Sequence, residues 1–211
     1  DGISSRIHSF GFQREKKGDE GRMSLNRQWA LACPVKSDYS FSLLSYNLLC
    51  SEYIEYSHFP KTSQRLLSST YRKPNLLREI TAHNADVCCF QEMDEFSEYW
   101  GPRLHQLGYQ GLFKKRTDAE SFHVDGCAIF FRSQRCIALC NNFIQISLVQ
   151  DCKTREAKDN VALLCLLEIL EHGQPTGSTV KKVVLDLVCV ANTHILYNPK
   201  RGDLKLSQVC L

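Results

Sequence analysis

Residues 85–92 read ADVCCFQE, and the fold turns on how that stretch is taken. Val87, Cys88, Cys89 and Phe90 follow one another with no polar residue between them. A short apolar run without polar alternation is the pattern of a strand covered on both faces. The run then stops on Gln91 and Glu92, which sets a carboxylate at the rim of a core. A lone glutamate after a strand is ordinarily a solvated end or a cap. That reading stands beside a functional one.

Two further segments behave in the same way. FSLLSYNLL (41–49) is apolar and β-prone and ends near Asn47, and KKVVLDLVCVANTH (181–194) ends on Asn192 and His194. Ligands of α/β proteins gather outside the carboxyl ends of strands. If the three strands are neighbours, an amide, a carboxylate and an imidazole converge at one place. One carboxylate, with water and substrate phosphates, is how Mg²⁺ is commonly held. An imidazole and neutral amides suit phosphate oxygens as donors. Taken singly, Asn47 also reads as a turn former and His194 as a hydrogen-bonded structural residue.

The remaining segments supply the scaffold. PNLLREITAHN (74–84) predicts a short helix with Pro74 in its first turn and Leu76, Leu77 and Ile80 on one face. Residues 56–73 read as loop with some helical character. DEFSEYWGPRLHQLG (94–108) predicts a helix interrupted at Gly101-Pro102 and stopped by Gly108. Strands are expected in YQGLFKKR (109–116), DGCAIFFR (125–132), CIALCNNFIQI (136–146) and VALLCLLEIL (161–170), and RGDLKLSQVCL opens a helix at Asp203. Strands mixed with helices give an α/β class. The later strands follow one another without long helices, which favours mixed, largely antiparallel sheets. The polar residues 1–28 read as a flexible leader, with the domain running over 29–211.

Composition agrees with a soluble globular chain: 211 residues, 43% hydrophobic and 23% charged. No run approaches the roughly 18 apolar residues of a membrane span, so no membrane partner is expected. There is no apolar signal core and no initiator methionine, so the expectation is a piece of a longer chain without a secretory peptide. A net charge of +3 is compatible with a polyanionic partner without demanding one. The eleven cysteines are odd in number, mostly lie in apolar runs and form no C-x-x-C pair. They read as reduced core thiols of a cytoplasmic or nuclear protein.

SYNLL, FQEMDEF, DGCAIFF and VANTHILYNPKRGDLKLSQ, in this order and spacing, resemble the endonuclease/exonuclease/phosphatase superfamily. More narrowly they resemble its deadenylase-like branch of nocturnin, carbon catabolite repressor catalytic subunits and Angel proteins. The resemblance covers about residues 27–211. It implies a four-layer α/β/β/α sandwich and Mg²⁺, with Mn²⁺ as alternative, bound at Glu92. It implies catalytic roles for Asn47, Glu92 and His194, and a single-stranded RNA 3′ end as partner, with an mRNA-decay complex around it. Pro199 matches a proline that packs near the bound base. Asn192 is adjacent, and Asn160 matches a substrate-contacting asparagine more loosely. Lys115 and Arg116 sit where the family has a basic residue near the substrate, a solvated strand end being the other reading. Asp125 looks structural. The family's G-D-x-N and S-D-H motifs do not occur, so the expectation is about the first half of a catalytic domain, truncated at its C-terminus. The implied activity is 3′-exoribonuclease chemistry of deadenylase type. Its alternatives are an Angel-like RNA 2′,3′-cyclic phosphatase and a non-catalytic RNA-binding or regulatory fragment.

Overall fold

A computed structural model describes residues 8–10, 29–31, 40–116, 124–139, 144–147, 160–171, 183–195 and 197–209. The chain divides into two compact units, Asp1–Ser40 and Phe41–Leu211. In the first, β1 (His8–Phe10) pairs antiparallel with β2 (Trp29–Leu31). Apart from β1, the leader expected over residues 1–28 lies outside the described residues.

The second unit opens with β3 (Leu43–Asn47) and two single 3-10 turns, Ser51–Tyr53 and Tyr56–His58. Helices α1 (Gln64–Leu67) and α2 (Ser69–His83) follow, then β4 (Val87–Met93). A π-type turn at Phe96–Trp100 runs into α3 (Gly101–Gln106). Next come β5 (Tyr109–Lys115), β6 (Gly126–Arg132), β7 (Cys136–Ala138) and β8 (Ile144–Ser147). β9 (Val161–Leu170), β10 (Val184–Thr193) and α4 (Gly202–Val209) complete the order.

Two expectations change. Pro74 lies inside α2 rather than at its start, because the helix begins at Ser69 within the segment read as loop. Proline lacks the N–H that would bond back one turn, and here it falls early in a 15-residue helix whose apolar face is held by packing. The single strand expected over 136–146 is two, β7 and β8, which line up along the same side of β9.

The first sheet has the order β3-β4-β6-β5. Only β3 and β4 run parallel, and the α1–α2 crossover supplies the return that parallel strands need. The second sheet, β10-β9-β7 with β8 also on β9, is antiparallel throughout. Alternate residues of β4 and β6 enter different cores. Cys88, Phe90, Ala128 and Phe130 pack with Ile80 of α2, Trp100 of the π-type turn and Leu104 of α3. Val87, Cys89, Cys127, Ile129 and Phe131 pack against Val161, Leu163, Cys165 and Leu167 of β9 and Val190 of β10. The unbroken apolar run of β4 follows from this double burial. The described elements thus form three layers, helices, sheet and sheet. On β10, Val184 and Leu187 stay exposed, Leu187 at 52%.

Glycine is required at two places. Gly108 has φ +85 and turns α3 into β5. At Gly126 a Cβ would lie 2.1 Å from the Lys114 carbonyl, so β5 crosses too close for any side chain. Gly126→Ala is expected to cost about 1–3 kcal/mol in urea unfolding, as overpacking does.

The thiols of Cys50, Cys88, Cys89, Cys127 and Cys136 are all pushed by burial up to about 12. Among the described cysteines only Cys189 is exposed. Peptide mapping after brief alkylation of native protein at neutral pH should find Cys189 modified. These five thiols and the buried Cys165 should be protected until denaturant is added.

Candidate active site

Strand direction gathers the polar ends. β3 and β4 are parallel with Asn47 opposite Gln91, so their carboxyl ends coincide. β6 runs antiparallel to β4, so its amino end, preceded by Asp125, lies at that rim. β5 ends there too, Lys115 facing Gly126, and Arg116 follows. From the facing sheet come the end of β10 and the start of β9, paired through Thr193 and Ala162.

Glu92 sits at the centre. The β4–β6 register shifts between Phe90 and Met93, and Glu92 takes φ +52, the left-handed region. That turn aims its carboxylate at Asn47, whose Nδ2 donates to Oε1 at 2.8 Å. The Cys50 N–H donates to Oε2 at 3.2 Å. The loop after β3 is shaped for this. The Leu49 N–H donates to Asn47 Oδ1 at 2.8 Å, and Leu49 itself has φ +58. Arg72 of α2 clamps the loop by donating from Nη2 to the Leu48 and Leu49 carbonyls at 2.6 and 2.9 Å. One residue pair further out, the buried Lys73 ammonium lies 3.2 Å from Asp94 and 2.9 Å from Glu95, and the Ser51 N–H donates to Asp94.

His194 Nε2 lies 3.8 Å from Glu92 Oε1. Its other nitrogen, Nδ1, faces Arg116 Nη2 at 3.5 Å. Guanidinium only donates, so Nδ1 is the acceptor and Nε2 carries the proton toward Glu92. Burial, the largest influence, lowers the imidazole pKa. Glu92 raises it, Arg116 lowers it and Asp125 raises it, and the balance lies below the ordinary histidine value. The ring is therefore neutral at pH 7 and presents one N–H. Arg116 Nε is ion-paired with Asp125 Oδ2 at 3.2 Å. Asp125 Oδ1 accepts the Tyr53 hydroxyl. Burial, then the Asp125 contact, raises Tyr53 well above its ordinary pKa, so it stays a donor.

Asn47, Glu92, His194 and Arg116 thus meet. Asn160 is buried and donates to the His194 carbonyl at 2.8 Å, fixing the backbone that carries the imidazole. Asn192 is also buried. Its Nδ2 donates to the Phe90 and Ala128 carbonyls, each at 2.8 Å, and its Oδ1 accepts from Gln91 at 2.7 Å. It reaches across the sandwich at the position where the β4–β6 ladder opens. Lys115 and Pro199 are exposed, at the end of β5 and in the turn after β10. Tyr53, Arg72 and the Lys73–Asp94 pair carried no signal in their own neighbourhoods. A charged residue entering an apolar strand at Asp125 did signal a need for a partner.

No family model matches the chain. It is 37% identical to carbon catabolite repressor protein 4 homolog 1 of Arabidopsis thaliana, over 81% of this chain and 31% of that protein. It is 34% identical to the CCR4-Not complex 3′-5′-exoribonuclease subunit Ccr4 of Yarrowia lipolytica, over 82% and 26%. With protein angel homolog 2 of Bos taurus it shares 37%, over 99% and 40%. Among solved structures, ANGEL2, a 2′,3′-cyclic phosphatase in complex with adenosine-2′,3′-vanadate, superposes with a TM-score of 0.65 at 35% identity, covering 80% of this chain and 45% of that one. Its homologues are of the carbon catabolite repressor, Angel and nocturnin type, in the endonuclease/exonuclease/phosphatase superfamily. The human nocturnin catalytic domain with bound sulfate follows with a TM-score of 0.60 at 25% identity, over 81% and 55%. The two-sheet fold is that of ANGEL2 and nocturnin. The chain spans between 26% and 40% of the curated relatives named here.

Asn192→Ala should take from the Phe90 and Ala128 carbonyls their Asn192 donor, and from the Gln91 amide its shortest acceptor, leaving Ser45 and Cys89. A loss of about 2–4 kcal/mol is expected from urea unfolding, at about 1–3 kcal/mol for a buried unsatisfied group.

Proposed function

We propose that the whole protein hydrolyses phosphodiester bonds at the single-stranded 3′ end of RNA, as a divalent-cation-dependent 3′-exoribonuclease of deadenylase type. The observation that carries this is the convergence of Glu92, Asn47, His194 and Arg116 on one rim of a sandwich built like those of RNA-end hydrolases.

A divalent cation fits the donors present. Glu92 Oε1 and Oε2 each accept one hydrogen bond, and a carboxylate offers about four acceptor sites. Among the described residues no three His, Cys, Asp or Glu side chains come together. That suits Mg²⁺, or Mn²⁺, which takes one or two carboxylates and keeps water and substrate oxygens. Bound at Glu92, it would supply Lewis-acid stabilisation of charge on the phosphoryl group.

The residues of this chain set up that chemistry. Asn47 and the Cys50 N–H hold the Glu92 carboxylate in place. The neutral His194 donates from Nε2 toward the rim, where a phosphate oxygen would accept it. Arg116 adds a fixed positive charge beside it. Lys115 and Pro199, both exposed, are free to meet the nucleotides that follow. Buried free thiols favour a reducing compartment, the cytoplasm or nucleus. The Yarrowia relative is named as a subunit of a complex, which supports a protein assembly around this one.

A second substrate reading, a 2′,3′-cyclic phosphate at the same RNA end, is favoured by the match with protein angel homolog 2 over 99% of this chain and by the ANGEL2 superposition. The test is the complete open reading frame, assayed with Mg²⁺ on a 3′-labelled poly(A) oligomer and on a 2′,3′-cyclic-phosphate oligomer. Shortening of the first names the exoribonuclease, and opening of the cyclic ester alone names the phosphatase. Consumption of neither, with RNA still bound, makes it a binding protein. Glu92→Gln should reduce turnover about 100- to 1,000-fold, the range for removing a group that stabilises transition-state charge, with an unchanged melting curve. Turnover within a few-fold of wild type would remove Glu92 from the site.

A further inference from the structure

Asp125 is 1% exposed and carries a charge the hydrolytic scheme does not use. Burying a carboxylate is costly, and pairing it recovers that cost only when the geometry is well satisfied. Here Asp125 is held by hydrogen bonds at its carbonyl and at Oδ1, while Oδ2 has an ion pair but no hydrogen bond among the described residues. Its carbonyl accepts the Arg116 N–H at 3.1 Å, Oδ2 pairs with Arg116 Nε at 3.2 Å, and Oδ1 takes the Tyr53 hydroxyl. The Arg116 side chain is 15% exposed, and its far nitrogen lies against His194 Nδ1. On the opposite edge of the same ring stands the Glu92 carboxylate.

A guanidinium one imidazole away from a carboxylate has an obvious alternative partner. Arginine and carboxylate pair readily through two parallel hydrogen bonds. Such a pair would occupy the lone pairs of Glu92 and cancel its charge. We propose that Asp125 is a positioning residue: it tethers Arg116 through Nε so that the guanidinium packs on His194 instead of closing on Glu92, which leaves that carboxylate open to a divalent cation. Tyr53 supports the tether by fixing the second oxygen of Asp125. The inference rests on the reading of Glu92 as the carboxylate that takes the cation. It adds that the site holds one acidic residue for the metal and a second, hidden one for the arginine.

The readout is binding of Mn²⁺ alone, followed by loss of the free-ion electron paramagnetic resonance signal on titration of the full chain. Wild type should bind, and Glu92→Gln should not. Asp125→Asn should weaken Mn²⁺ about tenfold or more, as loss of residues that orient metal ligands does. Arg116→Gln should not weaken it, since no guanidinium is left to compete. The double variant Asp125→Asn/Arg116→Gln should return to the wild-type affinity, an outcome a packing role cannot give. Wild-type affinity in Asp125→Asn, or a double variant as weak as Asp125→Asn, overturns the proposal. If Asp125→Asn loses its cooperative melt, Tyr53→Phe takes its place, with a smaller loss expected and the same rescue by Arg116→Gln. Wild-type affinity in Tyr53→Phe, or a loss that Arg116→Gln leaves uncorrected, then overturns it. Equal binding by wild type and Glu92→Gln overturns the cation reading itself and this inference with it.

Discussion

The parallel pairing of β3 with β4 is the constraint from which the rest follows. Parallel strands finish at the same end, so Asn47 and Glu92 are delivered side by side although 45 residues separate them. Every other pairing in the first sheet is antiparallel, so β6 starts at that rim while β5, reversed once more, ends there. An antiparallel β3 would have sent Asn47 to the opposite edge.

The double-sided core fixes what can happen at this rim. β4 and β6 are packed on both faces, so neither can slip by one residue without exchanging its two sets of core side chains. The irregularity that presents Glu92 is then confined to the last residues of β4. It is stabilised from across the sandwich by Asn192, which fills the opened ladder, and from the side by Arg72, which holds the preceding loop. The site is thus braced where the strands end. Such an arrangement suits a centre in which a few tenths of an ångström decide whether a phosphate is met.

Much of this was legible in the residues. Apolar runs that stop on Asn47, Glu92 and His194 are local patterns, and each was visible within its own strand. Pairings over long separations were not. Tyr53 and Asp125 lie 72 residues apart, and nothing near either names the other. Asn192 was read as a group beside the substrate, whereas the structure spends its hydrogen bonds inside the core. Orientation alternates along a strand, and the sequence does not say which neighbour faces in. Pro74 misled because a proline at a helix start and one early in a helix look alike when the preceding residues, SSTYRK, have only modest helix preference.

The left-handed backbone at Glu92 has an evolutionary consequence. Glycine, asparagine and aspartate adopt φ near +52 more readily than glutamate does, and holding a residue in such a region costs about 1–3 kcal/mol. Selection for stability alone would therefore push this position toward a shorter or absent side chain. Here glutamate stands at the position, and its length carries the carboxylate from the bulge to Asn47 and the Cys50 amide. At this position the backbone's preference for a short side chain and the reach of the carboxylate pull in opposite directions.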